Sequence, residues 1–256
     1  MNLHIGKVER YLLELIEEKG TLHFTLVDPD KTKPYEVSKI GRVIDDAGSD
    51  AVLVGGSTGV SESILDDVIK ELKLVTSLPI ILFPGNITGI SRYADAILFI
   101  SLLNSTNPYF ITGVQALGAA IVKKYRLEAL PTAYIIIGDG GTAGYIGYAR
   151  GVPLDKPDIA ALYALAAEYM GMRYVYFERG SGAPTPVPIE MVKEARKITE
   201  KVKLIVGGGI RSPQQAYELA KAGAHIIVTG TIIEYDISKL KSIVNSIREA
   251  CRYTTK

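Results

Sequence analysis

The chain has 256 residues, 47% hydrophobic and 22% charged, with 29 Lys and Arg against 28 Asp and Glu. A formal charge of +1 with no Lys/Arg block argues against a nucleic-acid binder, whose phosphate contacts need a concentrated basic face. The single cysteine, Cys251, makes neither an internal disulfide nor a multi-cysteine metal site, which fits a cytoplasmic protein.

Ile5, Val8, Tyr11, Leu12, Leu15 and Ile16 recur at helical spacing with charges between them, which predicts a surface helix and not a signal peptide. Eight short apolar runs follow, at 22–27, 51–54, 80–83, 96–100, 133–137, 173–177, 204–206 and 225–228. Helical patterns separate them at 35–47, 61–76, 109–125, 157–170, 189–202 and 213–222, and a last one covers 237–252. Between 83 and 96 there is room only for a turn or two of helix. Runs that are apolar throughout suit strands buried on both faces of a parallel sheet. Eight such units without a linker predict one domain, residues 1–256, folded as a (β/α)8 TIM barrel with an extra N-terminal helix. A doubly wound open sheet is the alternative. No apolar run approaches the ~20 residues of a transmembrane segment.

In a barrel, the residues that follow the strands share one face. Gly207-Gly208-Gly209 leads from the seventh strand toward Ser212, a candidate N-cap, and Pro213, a first helical residue. With Gly230-Thr231 after the eighth strand, this is the pattern of a barrel phosphate site, where backbone N–H groups hold the anion. Asp28 ends the first strand, where a carboxylate is costly unless it meets a cation or a reacting proton; a solvated turn with Asp30 and Lys31 is the other reading. Without a His or Cys cluster, the metal to expect is Mg²⁺ on Asp28 plus substrate phosphates, with Ser57 as a second contact. Glu178, after Tyr176, is placed either as a general base or as an ion-pair partner of Arg179. His4, His23 and His225 lie away from this face and read as packing residues. Gly138-Asp139-Gly140-Gly141-Thr142-Ala143 matches a dinucleotide fingerprint, but the glycines that follow predict a long irregular loop and no nucleotide-binding helix.

The loops together resemble one family. Leu26-Val27-Asp28-Pro29-Asp30-Lys31, Gly55-Gly56-Ser57, Phe83-Pro84-Gly85-Asn86, Ser101-Leu102-Leu103-Asn104-Ser105, Asn107-Pro108-Tyr109, Gly144-Tyr145, Tyr176-Phe177-Glu178-Arg179-Gly180-Ser181-Gly182 and Val206-Gly207-Gly208-Gly209-Ile210 are similar to motifs of the geranylgeranylglyceryl phosphate synthases. These archaeal prenyltransferases make the first ether bond of membrane lipids. The resemblance runs from about residue 20 to about residue 235. Phe110 stands where a larger aromatic is expected, and Thr231 where Asn is frequent. A bacterial relative transfers a heptaprenyl chain; the long fifth loop is more like the archaeal branch.

What the resemblance implies is transfer of the prenyl group of geranylgeranyl diphosphate to the 3-hydroxyl of sn-glycerol 1-phosphate, with Mg²⁺ on Asp28 and Ser57. Tyr176, Phe177, Glu178, Arg179, Gly180, Ser181 and Gly182, together with Gly207, Gly208, Gly209, Gly230 and Thr231, would hold sn-glycerol 1-phosphate. Glu178 and Tyr176 would be catalytic, Glu178 taking the hydroxyl proton. The C20 tail would run toward residues 109–120. A homo-oligomer that visits the membrane peripherally is implied as well. The competing readings are a phosphosugar-type barrel isomerase or lyase, using Glu178 with Asp28, and an inactive phosphate-ligand sensor.

Overall fold

The computed structural model describes residues 5–32, 34–56, 61–232 and 236–252. Eight parallel strands close a barrel in sequential order: β1 (Leu22–Val27), β2 (Ala51–Val54), β3 (Ile80–Leu82), β4 (Ala96–Leu102), β5 (Glu128–Ile136), β6 (Tyr174–Glu178), β7 (Lys203–Gly207) and β8 (Ile226–Thr229). Around them lie α1 (Lys7–Lys19), α2 (Pro34–Ala47), α3 (Glu62–Val75), α4 (Val114–Tyr125), α5 (Gly141–Ile146), α6 (Pro157–Tyr169), α7 (Ile189–Ile198), α8 (Pro213–Lys221) and α9 (Leu240–Arg252). Among the described residues no helix is long and apolar enough to cross a membrane.

Side chains alternate across each strand, so two apolar sets form. Phe24, Leu53, Ile81, Leu98, Tyr134, Tyr176, Ile205 and Val228 fill the barrel. Val52, Ile135, Val175, Phe177, Val206 and Ile227 pack outward with the helices. The predicted N-terminal helix forms as α1, but it is more than a surface helix: Val8, Leu12 and Ile16 join the interior set. Its free N–H groups are met by Glu128 at the start of β5, which accepts from Val8 N–H and Glu9 N–H at 2.8 Å each. Glu9 then takes a two-pronged contact from Arg173, at 2.6 and 2.7 Å. α1 is thereby fastened across the end of the barrel where the strands begin.

Three elements differ from the sequence expectation. β5 starts at Glu128, five residues early, because Pro131 still accepts from Arg173 N–H at 3.1 Å and needs no donor of its own there. The helix expected at 109–125 begins as a π turn, Tyr109–Gly113, before α4. The loop after β5, expected to be irregular, contains the six-residue helix α5, which opens on the left-handed Gly140.

One seam matters for the site. β3 pairs with β4 only at Ile81–Ala96 and Leu82–Ile97, whereas β4 and β5 stay paired from Ala96–Glu128 to Leu102–Tyr134. After Phe83, Pro84 lacks the N–H that would continue the ladder, and a 3₁₀ turn, Ile87–Gly89, stands where the other units carry a helix.

Candidate active site

A cavity of about 450 Å³ opens at the end of the barrel where the strands finish. Its polar chamber is lined by Asp28, Gly56, Glu178, Ser181, Gly208, Gly230 and Thr231. Its apolar arm touches both the inward Leu98 and the outward Ile97 and Phe99, so it leaves the barrel through the β3–β4 seam. There it runs between β4 and Val114, Gly118 and Val122, which recur every four residues on one face of α4, with Ile87 and Ile90 as the opposite wall.

Glu178 ends β6 with its side chain buried beneath the chamber. Gly180 N–H donates to its Oε1 at 2.6 Å, and the Tyr134 and Tyr176 hydroxyls hydrogen-bond to the same carboxylate. Burial raises the Glu178 pKa, and the Gly180 N–H and both tyrosines pull it back in part. The two phenols are pushed well above their ordinary value, first by burial and then by the Glu178 charge. The neighbouring glycines leave room for this pair. A Cβ at Gly207 would collide with the Tyr176 hydroxyl, and one at Gly208 would lie 2.7 Å from Glu178 Oε1.

Asp28 faces the chamber from β1. Its Oδ1 accepts from Asp30 N–H at 3.1 Å, and Lys31 Nζ is 3.8 Å from Oδ2. Gly56 lies against it, since a Cβ there would be 2.7 Å from Asp28 Oδ1. Ser57 lies outside the described residues. Among the described residues no group of three or more His, Cys, Asp and Glu could hold a metal ion.

The remaining predicted site residues separate into groups. Ser181, Gly208, Gly230 and Thr231 line the cavity with Tyr176 and Glu178. Phe177 does not; it is the outward residue between two inward ones and packs in the helix layer. Arg179 turns away from Glu178 and pairs with Asp139, Nη1 to Oδ1 at 2.9 Å, which lowers the Asp139 pKa. Gly180 and Gly182 adopt left-handed φ of 103° and 76° and shape the loop. Gly207 and Gly209 contribute close backbone approach, Gly209 against the Thr185 carbonyl. The start of α8 is less open to an anion than its Ser212-Pro213 sequence suggests. Ser212 and Gln215 form a reciprocal capping box that occupies those N–H groups. Thr231 and Ile232 are helical directly after Gly230, and Thr231 lines the cavity.

The model of the PcrB family matches residues 13–248. This chain belongs to the PcrB family. Among relatives of this PcrB-family chain, the geranylgeranylglyceryl phosphate synthase of Pyrococcus furiosus is 59% identical over 232 residues, 91% of this chain and 92% of that one. The one from Thermofilum pendens is 53% identical over 247 residues, 96% of each chain. The crystal structure of (S)-3-O-geranylgeranylglyceryl phosphate synthase from Thermoplasma acidophilum in complex with substrate sn-glycerol-1-phosphate is 40% identical. It superposes with a TM-score of 0.90, over 96% of this chain and all of that one.

Two site residues of the PcrB-family barrel escaped sequence reasoning. Tyr134 shares a register level with Tyr176 on the adjoining strand, a pairing that an apolar run without alternation does not signal. Gln115 on α4 donates from Nε2 to the Ile100 and Phe110 carbonyls, at 2.7 and 2.9 Å, and carries no sequence signal of its own.

Proposed function

We propose that this chain is a geranylgeranylglyceryl phosphate synthase, joining the geranylgeranyl group to the 3-hydroxyl of sn-glycerol 1-phosphate with release of diphosphate. One observation carries the reading: a single cavity unites the glycine-rich strand ends at Ser181, Gly208 and Gly230, a buried carboxylate and an apolar arm at the β3–β4 seam. The family and the identity to the named synthases support it. A small phosphosugar would have no use for the arm.

In the reaction, the bond between the allylic carbon and the diphosphate oxygen breaks, and its electron pair leaves with diphosphate. A lone pair of the glycerol 3-hydroxyl forms the new C–O bond, and the proton passes to Glu178. Ser181, Gly208, Gly230 and Thr231 hold the acceptor's phosphate so that its hydroxyl reaches that carboxylate. Tyr176 and Tyr134 orient the carboxylate, and Gly180 N–H stabilises its ionised form. The tail lies in the arm, where each CH₂ removed from water contributes ~0.8 kcal/mol. Asp28, a carboxylate facing the chamber, would hold Mg²⁺, with Ser57 as a further contact. Bound there, the ion would neutralise charge on the leaving group. A homo-oligomer in the cytoplasm with peripheral membrane contact completes the proposal, supported by exposed Tyr145, Tyr148 and Leu162 on its outer surface.

The test is diphosphate release with sn-glycerol 1-phosphate and prenyl diphosphates of graded length, with and without Mg²⁺. Product that needs both substrates and the metal, peaks at C20 and disappears in Asp28→Ala supports the reading. A folded protein that binds glycerol phosphate yet releases no diphosphate with any donor overturns it.

A further inference from the structure

We propose that the Phe83 ring, backed by Tyr176 and Tyr134, is a catalytic group that stabilises positive charge on the allylic carbon as diphosphate departs. The proposal rests on the prenyl-transfer reading and gives Phe83 a role that its motif did not supply. Phe83 stacks on Tyr176 with ring centroids 5.1 Å apart and planes 18° apart. Tyr134 stands edge-on to both, at 5.7 Å from Phe83 and 5.3 Å from Tyr176. All three line the cavity, and Phe83, half-buried, keeps part of its ring open to it.

The position follows from two consecutive glycines. A Cβ on Gly55 would collide with the Phe83 carbonyl, while Gly56 lies against the Asp28 carboxylate. The Phe83 backbone thus packs beside the loop that faces Asp28, the side to which the prenyl-transfer reading assigns diphosphate. Tyr176, on which its ring stacks, hydrogen-bonds to Glu178, where the acceptor's proton goes. Phe83, Tyr134 and Tyr176 line the cavity that also holds Asp28 and Glu178, so a carbon passing between those two sides would meet the rings.

The chemistry favours such a group. When the bond to diphosphate lengthens before the new C–O bond forms, the allylic carbon becomes electron-poor. An aromatic face attracts the charge through its quadrupole, forms no bond and excludes water. The interaction grows with the charge, so it lowers the barrier without tightening the ground state.

Phenylalanine carrying one, two and three ring fluorines at position 83 keeps the shape and withdraws charge from the face. With Mg²⁺, sn-glycerol 1-phosphate and geranylgeranyl diphosphate, the single-turnover rate is expected to fall evenly with each fluorine. The total is about 20-fold, equivalent to about 1.8 kcal/mol, with KM for both substrates nearly unchanged. Phe83→Leu should lose at least as much. The same fluorine series at Phe24, in the barrel core, should stay flat. A flat series at Phe83, an equal fall at Phe24, or a loss confined to KM overturns the proposal. Absence of product from the unsubstituted protein instead overturns the prenyl-transfer reading, and this proposal with it.

Discussion

Asn104 and Ile136 exchange two hydrogen bonds at the upper rim of the barrel. The Asn104 side-chain amide donates to the Ile136 carbonyl at 2.9 Å, and Ile136 N–H donates to Asn104 Oδ1 at 3.1 Å. The same amide reaches the Arg150 carbonyl at 3.0 Å, and Arg150 N–H returns to the Asn104 carbonyl at 2.7 Å. One buried side chain therefore imitates a strand edge and ties the end of β5 to the returning half of its loop. Asn104→Leu removes the partners of Ile136 N–H and the Arg150 carbonyl, while the Ile136 carbonyl keeps Val152 N–H, and should destabilise by about 2–4 kcal/mol in urea unfolding. Amide exchange should quicken across 138–150, where Ala143, Ile146 and Gly147 line the cavity.

Glu178 works as a base only when ionised, and burial raises its pKa. Its rate should rise with pH through that raised value, placing the acidic limb of the profile above the usual carboxylate range. Glu178→Gln should lower kcat by about 10²–10⁴-fold. The stability effect has the opposite sense. A carboxyl whose folded pKa exceeds its unfolded value contributes stability that is fully present below the unfolded value and lost as pH rises through the folded one. Glu178→Gln should thus raise Tm at neutral pH, with the gain vanishing below about pH 4. An equal gain at both pH values would assign the effect to something other than the carboxylate.

Gly118 sits midway along the α4 wall, where a Cβ would make ordinary contact with Ile90 Cδ1 at 3.5 Å. Gly118→Ala should leave the donor preference close to that of the parent. Gly118→Leu extends into the arm and should shift it from C20 toward shorter prenyl diphosphates, read as the ratio of kcat/KM across the donor series. Each isoprene unit denied burial costs about 3–4 kcal/mol at ~0.8 kcal/mol per carbon. An unchanged ratio would place the tail elsewhere.

His23 and His225 are both buried, and burial lowers each pKa to about 3. His23 Nδ1 meets Ser49 Oγ at 3.0 Å and Nε2 meets Thr229 Oγ1 at 2.9 Å, while His225 Nδ1 accepts from Leu204 N–H at 2.9 Å. The unfolded chain binds protons near the ordinary histidine value, so their stability is present above it and drains as pH falls toward 3. The slope should reach about 1.4 kcal/mol per pH unit for each histidine. Urea unfolding between pH 7 and 4 should show it, and His225→Gln should flatten it by one histidine's share.

Much of this protein is local enough to read in the chain. The eight apolar runs, the Ser212–Gln215 cap with Pro213 behind it, and the glycine-rich loops each depend on neighbours within a few residues. Their order alone implies a barrel with its chemistry at one face. Which residues meet there was decided by the tertiary structure. Runs that are apolar at every position carry no alternation, so nothing in 173–177 says that Tyr176 points inward and Phe177 outward; strand pairing sets that parity. Arg179 chooses Asp139 over the adjacent Glu178 because two loops forty residues apart meet at the rim. The arm exists because β3 stops pairing at Leu82 while β4 continues, a difference between two ladders that neither strand encodes alone.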